Sequence, residues 1–184
     1  MSKAYTPMSQ RDGRWARAWM NNNKDTPTSS YGCLITCLGM MADVPPDSVN
    51  YYMMAIKNYT PGTSKLARWD FSWTCSKVNY KGQSGSYAYI PFPDADIQKL
   101  SDWLVHDMAV LEVDFYPYDS TDQNFPPQVG EQQHFVLAVG VEVGRGDTKI
   151  VIIDPWDGQQ KYLCPRYGKS ITSAVVRAIY FEVK

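Results

Sequence analysis

The sequence predicts a single α+β domain. Helix-spaced apolar residues gather in the first half of the chain, strand-like apolar runs gather in the second, and no low-complexity linker or repeat divides them. With 184 residues and 44% apolar content, the chain is long enough to bury one real core, so residues 1–184 are read as one domain. The expected arrangement is an N-terminal helical lobe packed on a C-terminal antiparallel sheet.

The elements follow in order. Gln10 to Thr28 reads as a structured loop anchored by Trp15 and Trp19, with Asn21-Asn22-Asn23 as a turn cluster. Thr28, Ser29 and Ser30 are capping residue types just ahead of an apolar helix that begins at Cys33. Pro45 and Pro46 predict that this helix stops near Asp43 and that a second one opens, through Val49, Tyr52, Met53 and Ile56. From Thr60 to Pro93 the glycines interrupt short aromatic stretches, leaving one weak strand expected around Tyr87 to Ile90.

Asp94 or Asp96 is expected to cap a helix in which Ile97, Leu100, Trp103 and Leu104 repeat at three and four. Ala109 to Phe115 reads as a strand, and Tyr116 to Gln133 as a polar loop long enough to serve as a lid or binding loop. His134–Val143 and Lys149–Ile153 form a hairpin about Gly144-Arg145-Gly146-Asp147, and Ala174 to Val183 supplies a further strand.

Charge and composition exclude several function classes. A net charge of −1 gives no broad attraction to nucleic acid or anionic membrane. No apolar run approaches the roughly 18 residues that a membrane span needs. The polar N-terminus, Met1 to Trp15, carries no secretory signal pattern, which predicts a protein that starts in the cytoplasm of the producing cell and acts outside only after lysis. The four cysteines, Cys33, Cys37, Cys75 and Cys164, are therefore expected as reduced thiols. Cys33 and Cys37 form a C-x3-C without a matching second pair, which argues against zinc. No metal and no organic cofactor are expected.

The residues that carry chemistry are Cys33, His134 and Asp154, in that order. A thiol at a helix N-terminus, an imidazole at the start of a strand and a carboxylate at the end of the next strand are the parts of a cysteine nucleophile site. A free thiol titrates near 8.5, and a helix N-terminus and a nearby imidazole both favour the thiolate. The hairpin returns Asp154 to a position opposite a residue between His134 and Leu137. On the His134 face follow Val136, Ala138 and Gly140, small enough for a helix to approach, and the Cys33 helix is the candidate. Each residue alone has an ordinary reading: core cysteine, structural histidine, Asp-Pro turn. The second of the two histidines, His106, falls late in a helix, where it suits the dipole and receives no catalytic role.

These blocks also resemble a family. Gln10-Arg11-Asp12-Gly13-Arg14-Trp15-Ala16, Gly32-Cys33 with Thr36 and Met40, the Pro-led segment Val44 to Val49, His134 to Gly140 and Ile152-Ile153-Asp154-Pro155 are similar, in order, to the peptidase C39-like domains of the papain-like cysteine peptidases. The resemblance implies a papain-like fold, Cys33 as nucleophile, His134 as general base and then acid, Asp154 as the orienting carboxylate and Gln10 as an oxyanion-hole side chain. The bacteriocin-processing members keep that glutamine a few residues before the cysteine; here Pro27 stands six before, and Gln10 lies further upstream. Leu34 and Ile35 replace the usual small residues after the cysteine.

The implied activity is hydrolysis of a peptide or peptidoglycan stem-peptide amide through a thioacyl-enzyme. Two readings stand beside it. One is a non-catalytic peptide-binding module on the same fold, using aromatics such as Trp69, Phe71, Trp73, Tyr87 and Tyr89. The other is a Cys-His-Asp acyltransferase of the deamidase or transglutaminase kind.

Overall fold

A computed structural model describes residues 4–69, 78–85, 92–114, 133–144 and 147–184. Its centre is a six-stranded, wholly antiparallel sheet. The strands are β1 (Val78–Gly85), β2 (Met108–Asp114), β3 (Gln133–Val143), β4 (Thr148–Asp154), β5 (Gln159–Tyr162) and β6 (Val175–Val183), in the spatial order β1-β6-β2-β3-β4-β5. Mixed helix and antiparallel sheet is the α+β class expected. The weak strand expected at Tyr87 to Ile90 and the loop expected at Tyr116 to Gln133 fall outside the described residues, apart from Gln133, which opens β3.

Three helices gather on one face. Helix α1 (Thr28–Tyr31) is a single turn, and α2 (Cys33–Ala42) follows after Gly32. All ten residues of α2 are buried, as expected for a helix apolar on every side. It ends where Asp43 enters the left-handed region at φ 56°, ahead of the two prolines. Helix α3 (Pro46–Ala55) then starts on Pro46. Cys37, Leu38 and Met41 of α2 share a core with Val110, Phe135, Leu137, Ile153 and Phe181 of the sheet. Truncating one such side chain to alanine removes apolar burial and leaves a cavity, a cost of roughly 2–5 kcal/mol.

The opposite face carries α4 (Asp94–Leu104) and two short turns, α5 (Leu163–Arg166) and α6 (Ile171–Ala174). There Leu100 and Leu104 pack with Ala109, Leu111, Val136, Ala138 and Ile152. The helices thus lie on both faces of the sheet and do not form one N-terminal lobe. The period of two along β2 and β3 explains this: alternate residues are apolar on both sides, so each face needs its own cover.

Three local expectations are corrected. Thr28, Ser29 and Ser30 do not cap α2; they belong to the helical turn α1, and α2 begins after Gly32 with no side-chain cap. A Cβ on Gly32 would lie 2.5 Å from Thr28 Cγ2 and from its carbonyl oxygen, so only glycine lets the two helices meet this closely. Asp94 and Asp96 occupy the first turn of α4 behind Pro93, where their charge suits the dipole, but neither side chain caps the helix. The helix that approaches Val136 and Ala138 is α4, whereas the Cys33 helix packs on the other face with Phe135 and Leu137.

Candidate active site

β3 and β4 bring the imidazole and the carboxylate together. Leu137 pairs with Ile153, so Asp154 comes opposite Val136, on the same face as His134 and one diagonal step away. The expected register is the observed one, although β3 carries a bulge between Ala138 and Gly140. His134 Nε2 and Asp154 Oδ1 are 3.0 Å apart, with the side chains 4% and 0% exposed.

Asp154 is held by more than the histidine. Trp156 N–H donates to Oδ1 at 3.0 Å and the Tyr167 hydroxyl donates to Oδ2 at 2.6 Å. Arg166 Nε and Lys161 Nζ stand 3.6 and 3.8 Å from the same Oδ2. Burial alone would raise this carboxyl's pKa; the bonds from His134, Tyr167 and Trp156 outweigh burial and hold it well below the ordinary carboxylate range. Tyr167 keeps its proton, because burial and the adjacent Asp154 charge push its own pKa far up.

Cys33 completes the group from the first turn of α2, with only 8% of its surface exposed. Burial disfavours the imidazolium of His134, yet hydrogen bonding with Asp154 and then with Cys33, together with their charges, raises its pKa to about 9. Nε2 faces Asp154, which leaves Nδ1 as the ring nitrogen for the sulfur. Cys37, one turn along, is different: it is fully buried, its thiol points to the Phe135 carbonyl at 3.6 Å, and burial pushes its pKa well up. Cys164 is half-buried and likewise shifted up by burial. Cys75 lies outside the described residues.

Gln10 ties the segment that follows Asp154 to the turn that precedes Cys33. Its backbone N–H donates to the Pro155 carbonyl at 2.6 Å, and its Nε2 donates to the Ser29 carbonyl at 2.9 Å. Ser29 belongs to the turn that leads into Cys33, so the distant sequence position is recovered in space. The residue is 1% exposed, and its Oε1 has no hydrogen-bond partner. Gly158, at φ 74°, lets this N-terminal segment close over the Asp154 turn; a Cβ there would sit 3.1 Å from the Met8 and Ser9 backbone.

All four expected residues therefore converge. Tyr167, Arg166 and Lys161 were not expected, because Lys161 lies in the short β5 and Arg166 and Tyr167 in the irregular turn after it, stretches that carry no apolar period. The Asp157-Gly158 turn signal after Asp154 is what points to a strand folding back at this place. Of the aromatics considered for a ligand groove, Phe71, Trp73, Tyr87 and Tyr89 lie outside the described residues. Trp69 packs at a tilt against Phe135, ring centroids 6.0 Å apart, and lies under the Arg177 guanidinium. Among the described residues, no cluster of three or more His, Cys, Asp or Glu could hold a metal, and no helix is long and apolar enough to cross a membrane.

No protein-family model, no curated protein and no solved structure matches this chain.

Proposed function

We propose that the chain is a cysteine hydrolase of peptide amides, with a papain-like arrangement of the peptidase C39-like kind. The observation that carries this reading is the shared burial of His134 and Asp154 at 3.0 Å, with Cys33 bonded to the same ring. A structural core histidine needs no thiol on its second nitrogen and no carboxylate fixed by three further side chains.

The chemistry follows from these positions. The Cys33 thiolate attacks the carbonyl carbon, and the developing oxyanion takes donors from the first turn of α2 and from the second N–H of the Gln10 amide. The imidazolium of His134 protonates the leaving amine as the C–N bond breaks, forming the thioester. Water, deprotonated by the now neutral His134, attacks the thioester and returns the thiol. Asp154 keeps the ring oriented throughout and stabilises its charged form. The substrate is a peptide or a peptidoglycan stem peptide, met in the cytoplasm by a processing enzyme or at the wall by a lysin released on lysis.

The test compares the wild-type protein with Cys33→Ala on isolated cell walls and on a mixed peptide library. Clearing or cleavage that vanishes with the thiol supports the reading; clearing that survives removes Cys33 from the mechanism. Product formed with an added amine in place of water would identify an acyltransferase.

A further inference from the structure

A second feature lies beside this site. The chain is slightly acidic overall, yet Arg11, Arg14 and Arg17 are all exposed on the segment that follows Gln10. Arg14 is neutralised by Asp12, through Nε to Oδ1 at 3.0 Å and Nη2 to Oδ2 at 2.7 Å. Among the described residues, Arg11 and Arg17 form no ion pair.

Arg11 is also held in place. Its guanidinium carbon lies 4.7 Å from the centroid of the Trp156 ring. Its backbone N–H donates to Ser9 Oγ at 3.1 Å, and that hydroxyl donates to the Trp156 carbonyl at 3.0 Å. Trp156 in turn donates its N–H to Asp154 Oδ1, and Gln10 holds the Pro155 carbonyl. The charge of Arg11 is thus fastened to the turn that bears the candidate triad's carboxylate. A guanidinium stacked on an aromatic face keeps its in-plane N–H groups free, and these form the fork that fits a carboxylate. Arg17 stands on the same strip, where Ala16 accepts the Ser29 N–H at 3.0 Å.

The geometry points to Arg11 as an anion-reading residue: the substrate carries a carboxylate near the amide that is cleaved, as in an acidic peptide. This rests on the cysteine hydrolase reading. Arg11 and Arg17 are both exposed on the segment that follows Gln10, and positive charge there attracts anionic groups over about a Debye length.

The experiment measures alkylation of Cys33 by iodoacetate and by iodoacetamide, read by peptide mass mapping at low and high salt. The two reagents differ by one carboxylate. The iodoacetate to iodoacetamide rate ratio is expected to fall about five-fold in Arg11→Gln, to recover part of that in Arg11→Lys, and to lose its variant dependence at 1 M salt, about where the Debye length is 3 Å. Peptidyl chloromethyl ketones with Glu or Gln beside the reactive carbon give the second arm: wild type prefers Glu, Arg11→Gln does not. A ratio unchanged by Arg11→Gln, or equal rates for the two ketones on wild type, overturns the inference while Cys33 still reacts. Failure of Cys33 to react with any reagent overturns the hydrolase reading and this inference with it.

Discussion

Among the described residues, the sheet holds two pairs of buried ionisable side chains, and they are built for different ends. His134 and Asp154 close one; Glu112 of β2 and Arg177 of β6, 2.6 Å apart with side chains 2% and 4% exposed, close the other. Glu112 and Arg177 face each other directly across the strand pair. Burial raises the Glu112 pKa while Arg177 pulls it back, and Arg177 stacks against Trp69 at 5.0 Å. A guanidinium does not release its proton in a protein, so the cation of this pair keeps its charge, and the two residues are direct register partners of β2 and β6. His134 can titrate, has a second ring nitrogen and meets a thiol, so its pair has states to move between. Two pairs of similar burial therefore differ in whether the cation can give up a proton and whether a third reactive group is in reach.

The comparison breaks most readily at the candidate triad. Asp154→Asn or His134→Gln is expected to lower the hydrolytic rate by about 10³- to 10⁴-fold, because the ring loses its orientation or the base disappears. Steady-state cleavage of an identified peptide measures this, and a variant within ten-fold of wild type would place the site elsewhere. At the other pair the loss is of stability. Glu112→Ala removes the carboxylate that faces a buried guanidinium and is expected to cost about 3–5 kcal/mol in urea unfolding. Replacing both partners with apolar residues recovers much of that loss. Rates per folded molecule stay near wild type in either variant; a large fall in rate without a fall in stability would make Glu112 part of the site.

A smaller effect sharpens the picture. Tyr167→Phe keeps the ring packed 5.7 Å from the imidazole and removes only the donor to Asp154. We expect kcat to drop about ten-fold with little change in KM, as for the loss of one charge-assisted hydrogen bond. An unchanged kcat would show that Trp156, Arg166 and Lys161 suffice to fix the carboxylate.

The mildest test is of pH. His134 has a folded pKa raised to about 9 against an ordinary value near 6.5. The imidazolium therefore adds stability that is complete below about 6.5 and is lost as the pH rises through about 9. The urea midpoint should decline over that window, and less so in His134→Gln; the protonated leaving-group acid should disappear over the same range. Asp154 runs the other way, with its pKa depressed, so its contribution is present above about 4 and fades on acidification. A midpoint flat from pH 6.5 to 9 would mean that the ring is neutral in the folded protein.

Several of these groups were legible in the sequence because they sit on strongly patterned segments. Cys33 opens a largely apolar run after a glycine, and His134 and Asp154 bracket a hairpin whose turn sets the register to within a residue, the bulge between Ala138 and Gly140 then putting Asp154 opposite Val136. Arg166 and Tyr167 lie in an irregular stretch, where no period tells which way a side chain points, and the Glu112–Arg177 pair joins residues 65 positions apart. Thr28 to Ser30 form a helical turn and not a cap, because a capping residue type is also tolerated inside a short turn, and the closeness of Thr28 to position 32 leaves room only for Gly32.

Alone, the sequence determined the α+β class, the limits of α2, the start of α3, and the hairpin that brings His134 and Asp154 to one end of the sheet, since those depend on local periodicity, proline chemistry and turn length. Tertiary structure decided which face each helix covers, that Gln10 reaches both Pro155 and Ser29, and that Tyr167 anchors Asp154. These are contacts between segments far apart in the chain, and burial, not spacing, selects them: an interior carboxylate must find donors wherever the fold supplies them.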